Sequence, residues 1–316
     1  MHDSLLLILG LIVLVKGADL LVSGSASIAS RLRISPLVIG LTIVSFGTSL
    51  PETLVSMVSG LRGNADLAIA NLIGSNIANV LLVLGIAAII RPLPVRNSTV
   101  VSEIPFSLTA AILVGFLANA ALFSSFHVLT ISRLDGAILL FFFLLFMLYV
   151  YKVARETVPG ETVASGLGPV RSAAYVLIGI AGLYLGGRWT VEGAVGVSRL
   201  AGVDEALIGL TIIAVGTSLP ELVASAVAAY RNQADMAVGN VVGSNIFNLL
   251  WILGLTASFV ELPFRVVSNS DLIMVIFSSA MIILALVSSR KNTILRWHGV
   301  VFVLLYAAYL VYVVMR

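Results

Sequence analysis

The chain has 316 residues, of which 59% are hydrophobic and only 10% are charged. Soluble domains carry roughly 25% charged residues, and a membrane-spanning helix needs about 20 mostly apolar residues. Apolar runs of that length fill nearly the whole chain, so the composition indicates a polytopic helical membrane protein with almost no room for a soluble domain. The net charge of +3 is modest and the basic residues are scattered over loops, which argues against nucleic-acid binding.

The apolar segments predict ten transmembrane helices. Their approximate ranges are 4–29, 36–61, 67–90, 100–120, 131–152, 172–198, 205–230, 236–259, 270–288 and 295–314. One long polar connector, 155–171, separates a first repeat, 1–154, from a second repeat, 172–316. Because five spans per repeat is an odd number, the second repeat is expected to lie upside down relative to the first. The predicted fold class is an all-α integral membrane protein made of two inverted-topology five-helix repeats.

Loop charges predict the orientation of these helices. One face collects Arg31, Arg33, Arg91, Arg96, Lys152, Arg155, Arg171, Arg231, Arg290, Lys291 and Arg296. The other face collects Arg62, Arg133, Arg199, Arg265 and Arg316. Because cytoplasmic loops are enriched in Lys and Arg, we expect a multi-pass protein of the cell membrane with the 155–171 connector in the cytoplasm and both termini outside.

The most specific motif is the hexapeptide Gly-Thr-Ser-Leu-Pro-Glu, which ends at Glu52 and again at Glu221. The offset is 221 − 52 = 169 residues, and the same offset pairs Ser75 with Ser244. A carboxylate at membrane depth costs about 2.5 kcal/mol or more to insert. Two carboxylates at equivalent points of two repeats therefore indicate one shared polar site.

The proline of each motif predicts a broken helix. Pro51 and Pro220 lack the N–H that would bond the carbonyl four residues back, here Gly47 and Gly216. The second and seventh helices are therefore expected to break near their middles. Free carbonyls at the end of a half-helix carry partial negative charge and can coordinate a cation. An ordinary proline kink is the alternative, and the matched glutamates favour a site.

The third and eighth helices each carry a polar stripe at a spacing of four residues. The stripes are Asn71, Ser75 and Asn79 in the first repeat and Asn240, Ser244 and Asn248 in the second. For Asn71 and Asn240 the alternative is interhelical hydrogen bonding, which small polar residues often supply in membranes. Asn76 and Asn245 lie on a different face and are interpreted as structural.

These donors are all oxygen atoms, which suits hard cations such as Ca²⁺ and Na⁺. Two glutamates carry a charge of −2, which one Ca²⁺ or two Na⁺ neutralise, so the two ions compete for the same carboxylates. Such mutual exclusion is the basis of antiport, although two protons would also neutralise the pair. An antiporter of another divalent cation, coupled to H⁺ or Na⁺, and a passive cation channel therefore remain alternatives. Because the motifs supply no nucleophile–base pair and no phosphate-binding loop, neither enzyme activity nor a cofactor is expected.

The doubled motif resembles a known family. Gly47–Glu52 with Gly74–Asn79, and Gly216–Glu221 with Gly243–Asn248, are similar to the two α-repeats of the calcium/cation antiporter superfamily. The resemblance covers essentially the whole chain and is closest to prokaryotic sodium/calcium exchangers. It implies ten helices, four cation positions in a central diamond, and three Na⁺ exchanged per Ca²⁺ by sliding of the first and sixth helices. Na⁺ and Ca²⁺ would be the substrates and the lipid bilayer the surroundings, with no obligatory protein partner evident.

The resemblance also implies a ligand set. Glu52 and Glu221 would bind Ca²⁺ together with the backbone oxygens of Thr48 and Thr217. The sodium positions would draw on the hydroxyls of Ser49, Ser75, Ser218 and Ser244, the carbonyls of Ser45 and Ala214, and the amides of Asn79 and Asn248. Relatives in the potassium-dependent branch place Asp where this chain has Asn248, so the asparagine implies potassium-independent exchange.

Other charged residues inside the helices are interpreted as structural. Two local ion pairs are predicted, Lys16 with Asp19 and Arg188 with Glu192, with a gating role as the alternative. Asp66 and Asp235 are predicted to cap the third and eighth helices. Negative charge at a cavity mouth that attracts cations is the alternative for these two aspartates.

Overall fold

The computed structural model describes residues 2–123, 129–155, 167–203, 214–289 and 291–315. Most of these residues lie in eleven helices. They are α1 His2–Leu32, α2 Pro36–Thr48, α3 Leu50–Leu61, α4 Ala65–Ile90, α5 Asn97–Ala118, α6 Arg133–Arg155, α7 Pro169–Leu200, α8 Leu219–Tyr230, α9 Ala234–Phe259, α10 Ser268–Ser288 and α11 Arg296–Met315. A single helical turn, Ala214–Gly216, precedes α8, and a short 3₁₀ turn, Ala120–Phe123, follows α5.

Eight of the described helices are long and apolar enough to cross a membrane, and a ninth span results if the bent pair α2 and α3 is one. These spans confirm the predicted all-helical, multi-pass membrane protein. The first half of the predicted seventh span, 204–213, lies outside the described residues, as does 156–166 of the polar connector. The total of ten helices therefore stays a prediction.

The second span is broken where its motif predicts. Helices α2 and α3 meet at an angle of 52°, because Ser49 between them has φ −83° and ψ 12°, outside the helical region. Pro51 lies in the first turn of α3, where its missing N–H removes no helical hydrogen bond. Ser218 repeats this geometry before α8, with φ −87° and ψ 4°, and Pro220 again lies in the first turn.

In the part of the chain that the structure describes, three π-helical turns interrupt the central helices, at Gly40–Val44 in α2, Asn79–Leu84 in α4 and Phe247–Ile252 in α9. The turns in α4 and α9 start at Asn79 and one residue before Asn248. A π turn adds a residue to one helical turn and is frequent at functional sites. The regular α-helical geometry of the polar stripes therefore ends at these asparagines.

The long helices α1 and α7 run antiparallel and touch backbone to backbone along a line of glycines. The glycines recur every seven residues, at Gly10, Gly17 and Gly24 in α1 and at Gly179, Gly186 and Gly193 in α7. A Cβ atom at Gly17 would lie 2.7 Å from the backbone nitrogen of Leu183, and one at Gly179 would lie 2.6 Å from that of Leu21. Small residues let membrane helices approach this closely.

Short strands join connections that belong to the two predicted repeats. Strand β1, Leu93–Pro94, pairs antiparallel with β4, Thr293–Ile294. Strand β2, Thr130–Ile131, pairs antiparallel with β3, Leu262–Pro263. Each two-stranded sheet thus connects a segment before residue 155 with a segment after residue 171.

Asp66 and Asp235 each form an ion pair across the two halves of the chain, and these pairs correct the role predicted for the two aspartates. Asp66 and Asp235 lie inside the first turns of α4 and α9 rather than at the capping positions. Asp235 bonds Arg96 at 2.7 Å, and Asp66 bonds Arg265 at 2.6 Å. The capping prediction was wrong because these carboxylates reach arginines in the loop before the fourth predicted helix of the opposite repeat.

Candidate cation-binding site

Two buried glutamates lie near each other at the centre of the protein. Glu52 is in the first turn of α3 and Glu221 in the first turn of α8, and each is 1% exposed. The starts of the two helices meet there, because the hydroxyl of Ser49, just before α3, lies 2.9 Å from Oε1 of Glu221. The N-terminal turn of a helix favours negative charge, which offsets part of the cost of burying them. Within the described part of the chain, Oε2 of each glutamate has no hydrogen-bond partner.

Serine hydroxyls surround these carboxylates. The Ser49 hydroxyl donates to Oε1 of Glu221 at 2.9 Å and lies 3.0 Å from the hydroxyl of Ser244. The Ser75 hydroxyl donates to Oε1 of Glu52 at 3.5 Å. Ser49, at the helix break of the first repeat, therefore bonds to the carboxylate of Glu221 in the second repeat. The Ser218 hydroxyl, the counterpart of Ser49, is buried and has no partner among the described residues.

The asparagines at the ends of the polar stripes also lie at this centre. Asn248 is fully buried, and neither atom of its amide has a partner among the described residues. Asn79 donates to Oδ1 of Asn245 at 3.1 Å, and its own Oδ1 has no partner within the described part of the chain. Asn245 in turn donates to the carbonyl of Asn76 at 3.4 Å. Asn76 and Asn245, interpreted from the sequence as structural, thus join α4 to α9.

The motif threonines bond across the two halves of the chain. The Thr48 hydroxyl donates to Oδ1 of Asn240 at 3.1 Å, and the Thr217 hydroxyl donates to Oδ1 of Asn71 at 3.4 Å. The sequence predicts that Thr48 and Glu52 share a helical face if the spacing survives the kink. The break at Ser49 intervenes, and each side chain bonds to a different helix.

The two positions predicted to supply only carbonyls lie just before the breaks. The Ser45 carbonyl accepts from the Ser49 backbone N–H at 3.0 Å and from the Thr48 hydroxyl at 3.3 Å. Ala214 is the first residue of the turn Ala214–Gly216. The twelve predicted ligand positions therefore all lie on the broken helices or on the central segments of α4 and α9.

A cavity of about 290 Å³ reaches this centre from one side. It lies between α3, α7 and α8 and is lined by Arg188, Val191 and Thr217, among others. Thr217 is half-buried, whereas its counterpart Thr48 is fully buried. Val22, 169 residues before Val191, is only 1% exposed. Thr217 therefore borders a cavity along α7, the open side, whereas Thr48 and Val22 are buried along α1, the closed side.

The closed side carries an ion pair that differs from the predicted one. Asp19 of α1 pairs with Arg231 at the end of α8 rather than with Lys16. The Arg231 guanidinium also donates to the Ser23 hydroxyl at 2.6 Å. Sequence spacing favours partners within one helix, and only the packing of α1 against α8 brings Arg231 to this carboxylate. On the open side, the predicted pair of Arg188 with Glu192 is confirmed at 2.7 Å.

The fold and the site define a class: a helical membrane protein with two buried carboxylates in an oxygen-lined centre. A family model described as sodium/calcium exchanger protein matches residues 2–152 and 171–315. The chain belongs to the sodium/calcium exchanger family, which confirms the resemblance seen in the doubled motif.

Individual relatives match over most of their length. The inner membrane protein YrbG of Escherichia coli is 38% identical over 80% of this chain and 78% of its own. The sodium/calcium exchanger MaX1 of Methanosarcina acetivorans is 32% identical over 98% of this chain and 97% of its own. A solved structure of the sodium–calcium exchanger NCX_Mj superposes with a TM-score of 0.83 at 32% identity, covering 97% of each chain.

Proposed function

We propose that this protein is a secondary antiporter that exchanges Na⁺ for Ca²⁺ across the membrane without K⁺. One observation carries the proposal: two buried glutamates lie in the first turns of helices that meet in an oxygen-lined centre, and among the described residues each has one carboxylate oxygen without a partner. Leaving a buried charged atom without a partner is costly, and a bound cation removes that cost. The names of MaX1 and NCX_Mj, which describe sodium–calcium exchange, support the same ions.

The ligand assignment is part of this proposal. Ca²⁺ is bound by Glu52 and Glu221 with the backbone oxygens of Thr48 and Thr217. Na⁺ uses the surrounding hydroxyls, amides and carbonyls, namely Ser49, Ser75, Ser218, Ser244, Asn79, Asn248, Ser45 and Ala214. The unpaired atoms of Ser218, Asn79 and Asn248 support this assignment, because a cation accounts for buried oxygens that the protein leaves unpaired. Asn248 in place of Asp supports K⁺ independence.

The proposed transport cycle is alternating access. Two inverted five-helix repeats, 1–154 and 172–316, would share the central site, with α1 and α7 moving against the remaining helices. The cavity along α7 and the buried counterpart positions along α1 support this cycle, because the equivalent surfaces of the two halves differ in exposure. The glycine line between α1 and α7 supports their movement as a unit.

The function is tested by Ca²⁺ uptake into proteoliposomes that contain the purified protein. We expect uptake with an outward Na⁺ gradient and little uptake with K⁺, with H⁺ or without a gradient. Equal uptake without an exchangeable cation inside would instead identify a passive channel. Uptake driven equally by a proton gradient would overturn Na⁺ coupling.

The proposed orientation places both termini outside and the 155–171 connector in the cytoplasm. Since the chain contains no cysteine, a single cysteine at Gly166 reports the side of the connector. An impermeant thiol reagent added to intact cells is expected to leave this cysteine unlabelled and to label it after the membrane is opened. A cysteine at Arg62 serves as the external control.

A further inference from the structure

We propose that Asn71 and Asn240 are positioning residues that hold the threonine carbonyls of the cation site in place. Each asparagine would act through the opposite repeat, by fixing the end of the broken helix that carries the threonine. The inference rests on the proposed function, because the carbonyls of Thr48 and Thr217 matter only if they bind the transported ion. It assigns a role to two polar residues outside the proposed ligand set.

The Asn240 bridge is the chain of hydrogen bonds from Thr48 through Asn240 to Ser225. Oδ1 of Asn240 accepts from the Thr48 hydroxyl at 3.1 Å, and Nδ2 donates to the Ser225 hydroxyl at 2.9 Å. Nδ2 also lies 3.4 Å from the carbonyl of Glu221. Thr48, Asn240 and Ser225 are each 0–1% exposed. This bridge therefore ties the end of α2 to α8, across the two repeats.

The Asn71 bridge repeats the pattern at the equivalent positions of the other repeat. Oδ1 of Asn71 accepts from the Thr217 hydroxyl at 3.4 Å, and Nδ2 donates to the Ser56 hydroxyl at 2.9 Å. Ser56 is 169 residues before Ser225, just as Asn71 is before Asn240. Two unconnected stretches of chain thus build the same three-residue bridge, and each bridge joins a threonine of one repeat to a serine of the other.

The bridge needs an amide at its centre. An amide accepts at one end and donates at the other, so one side chain can satisfy both the threonine and the serine. A carboxylate would reverse the bond to the serine, whose hydroxyl would then have to donate, and would add a buried charge, while an apolar side chain leaves both hydroxyls without this partner. Because Thr48 is the last residue of α2 and Ser49 has left the helical region, the helix alone does not fix the Thr48 carbonyl. The Thr48 hydroxyl is shared between the Ser45 carbonyl of its own helix, at 3.3 Å, and Asn240, at 3.1 Å, and the bond to Asn240 is the restraint that reaches outside α2.

The two bridges differ in the same way as the two sides of the site. The bridge at Thr48 is fully buried and its threonine bond is 3.1 Å. The bridge at Thr217 borders the cavity, and its threonine bond is 3.4 Å. The shorter bridge therefore lies on the closed side. The bridge at Thr48 thus restrains its carbonyl more than the bridge at Thr217 does. This suits a bridge that holds the ion ligands in place while the site is closed.

The test compares Asn240→Ala, Thr48→Val and their double variant in Na⁺-loaded proteoliposomes, with ⁴⁵Ca²⁺ as the probe. We expect each single variant to raise the apparent KM for Ca²⁺ about tenfold while the maximal rate changes less. The double variant is expected to match the single ones, because both changes remove the same bond. Thr48→Ser keeps the hydroxyl and is expected to restore a KM near that of the wild type.

A matched control separates positioning from a general loss of packing. Asn119 also joins two helices of different repeats through its amide, with mutual bonds to Asn269 at 2.7 and 2.8 Å, but lies away from the site. Asn119→Ala is expected to lower the melting temperature without changing the KM for Ca²⁺.

Three outcomes would overturn the inference. The first is a KM for Ca²⁺ in the single variants within about twofold of the wild-type value. The second is a double variant whose increase in KM is the product of the two single increases. The third is a Thr48→Ser variant whose KM is raised as much as that of Thr48→Val. The last comparison does not depend on whether Asn240→Ala folds. If the wild type itself shows no Na⁺-driven uptake, the proposed function fails and this inference fails with it.

Discussion

At the scale of single residues, the centre of the protein contains buried polar atoms that have no partner among the described residues. Glu52 and Glu221 each keep one unpaired carboxylate oxygen, and Asn248 has no partner for either amide atom among the described residues. In most proteins, buried polar groups are bonded to other protein groups or to water. Buried atoms without a partner also occur elsewhere, as at Oε2 of Glu103, but six of the eleven in the described residues belong to the predicted ligand positions Glu52, Asn79, Ser218, Glu221 and Asn248, and this clustering is the strongest local sign of an ion site.

We predict that Glu52→Gln and Glu221→Gln each abolish most Na⁺-driven Ca²⁺ uptake. The substitution keeps the size of the side chain but halves the negative charge available to a divalent cation. We expect a loss of about a hundredfold or more in initial rate at low Ca²⁺, or about 3 kcal/mol. The matched control is Glu103→Gln in α5, a glutamate equally buried but bonded to Tyr149 outside the site. Near-normal uptake by either site variant would remove that carboxylate from the ligand set.

We predict that Asn248→Asp makes transport more sensitive to acid. A third carboxylate in the same small site resists joint ionisation with the other two, so protons compete better with Na⁺ and Ca²⁺. The acid limb of Ca²⁺ uptake, measured from about pH 5 to 9, is expected to move to higher pH. Asn79→Asp is expected to do the same by pseudo-symmetry. Active variants whose acid limbs overlay that of the wild type would show that these amides do not face the ions.

At the scale of helices, the glycine line between α1 and α7 explains how two long helices can pack backbone to backbone. The line has a period of seven residues and is present in both helices at equivalent positions. The period is visible in the sequence, but the helix features predicted from the sequence rest on Pro51 and Pro220 and not on these glycines. A repeated glycine in an apolar helix can be assigned to a helix–helix contact only when the partner helix is known.

We predict that Gly17→Ala destabilises the protein, whereas Gly115→Ala does not. A Cβ atom at Gly17 meets the Leu183 backbone at 2.7 Å, while the nearest neighbour of one at Gly115, Cδ1 of Ile276, is 3.9 Å away. Overpacking costs about 1–3 kcal/mol, and alanine is otherwise the better residue inside a helix. Thermal unfolding followed by tryptophan fluorescence is expected to show a lower melting temperature for Gly17→Ala alone. Equal melting temperatures would mean that α1 and α7 separate at little cost.

At the scale of the whole molecule, the two halves are similar in sequence but unequal in exposure. The side of the site along α7 opens to a cavity, and the side along α1 is closed and carries the pair of Asp19 with Arg231. At the equivalent place on α7, Arg188 pairs within its own helix instead. The Asp19–Arg231 pair therefore favours one of the two arrangements that alternating access would require.

We predict that Asp19→Asn shifts this balance toward opening along α1. A partly exposed ion pair is worth about 0.2–1 kcal/mol, so the populations are expected to change by about 1.5- to 5-fold. Single cysteines at Val22 and Val191 report the two sides: labelling at Val22 is expected to become faster and labelling at Val191 slower. Asp66→Asn breaks another ion pair that touches neither α1 nor α7 and is the control. Unchanged labelling at both positions would exclude the pair as a determinant of the balance.

The sequence by itself determined the class of the protein and the break in the second helix, and its assignment of the site residues stays a prediction. These features follow from composition, from proline chemistry and from a motif repeated at a fixed offset, all of which are local properties of the chain. The tertiary structure alone decided which helices each side chain meets. Asp19 pairs with Arg231 rather than Lys16, Asp235 with Arg96 rather than a helix end, and Thr48 bonds Asn240 across the repeats. These contacts join residues far apart in sequence, and such pairings depend on how the helices pack rather than on spacing within any one of them.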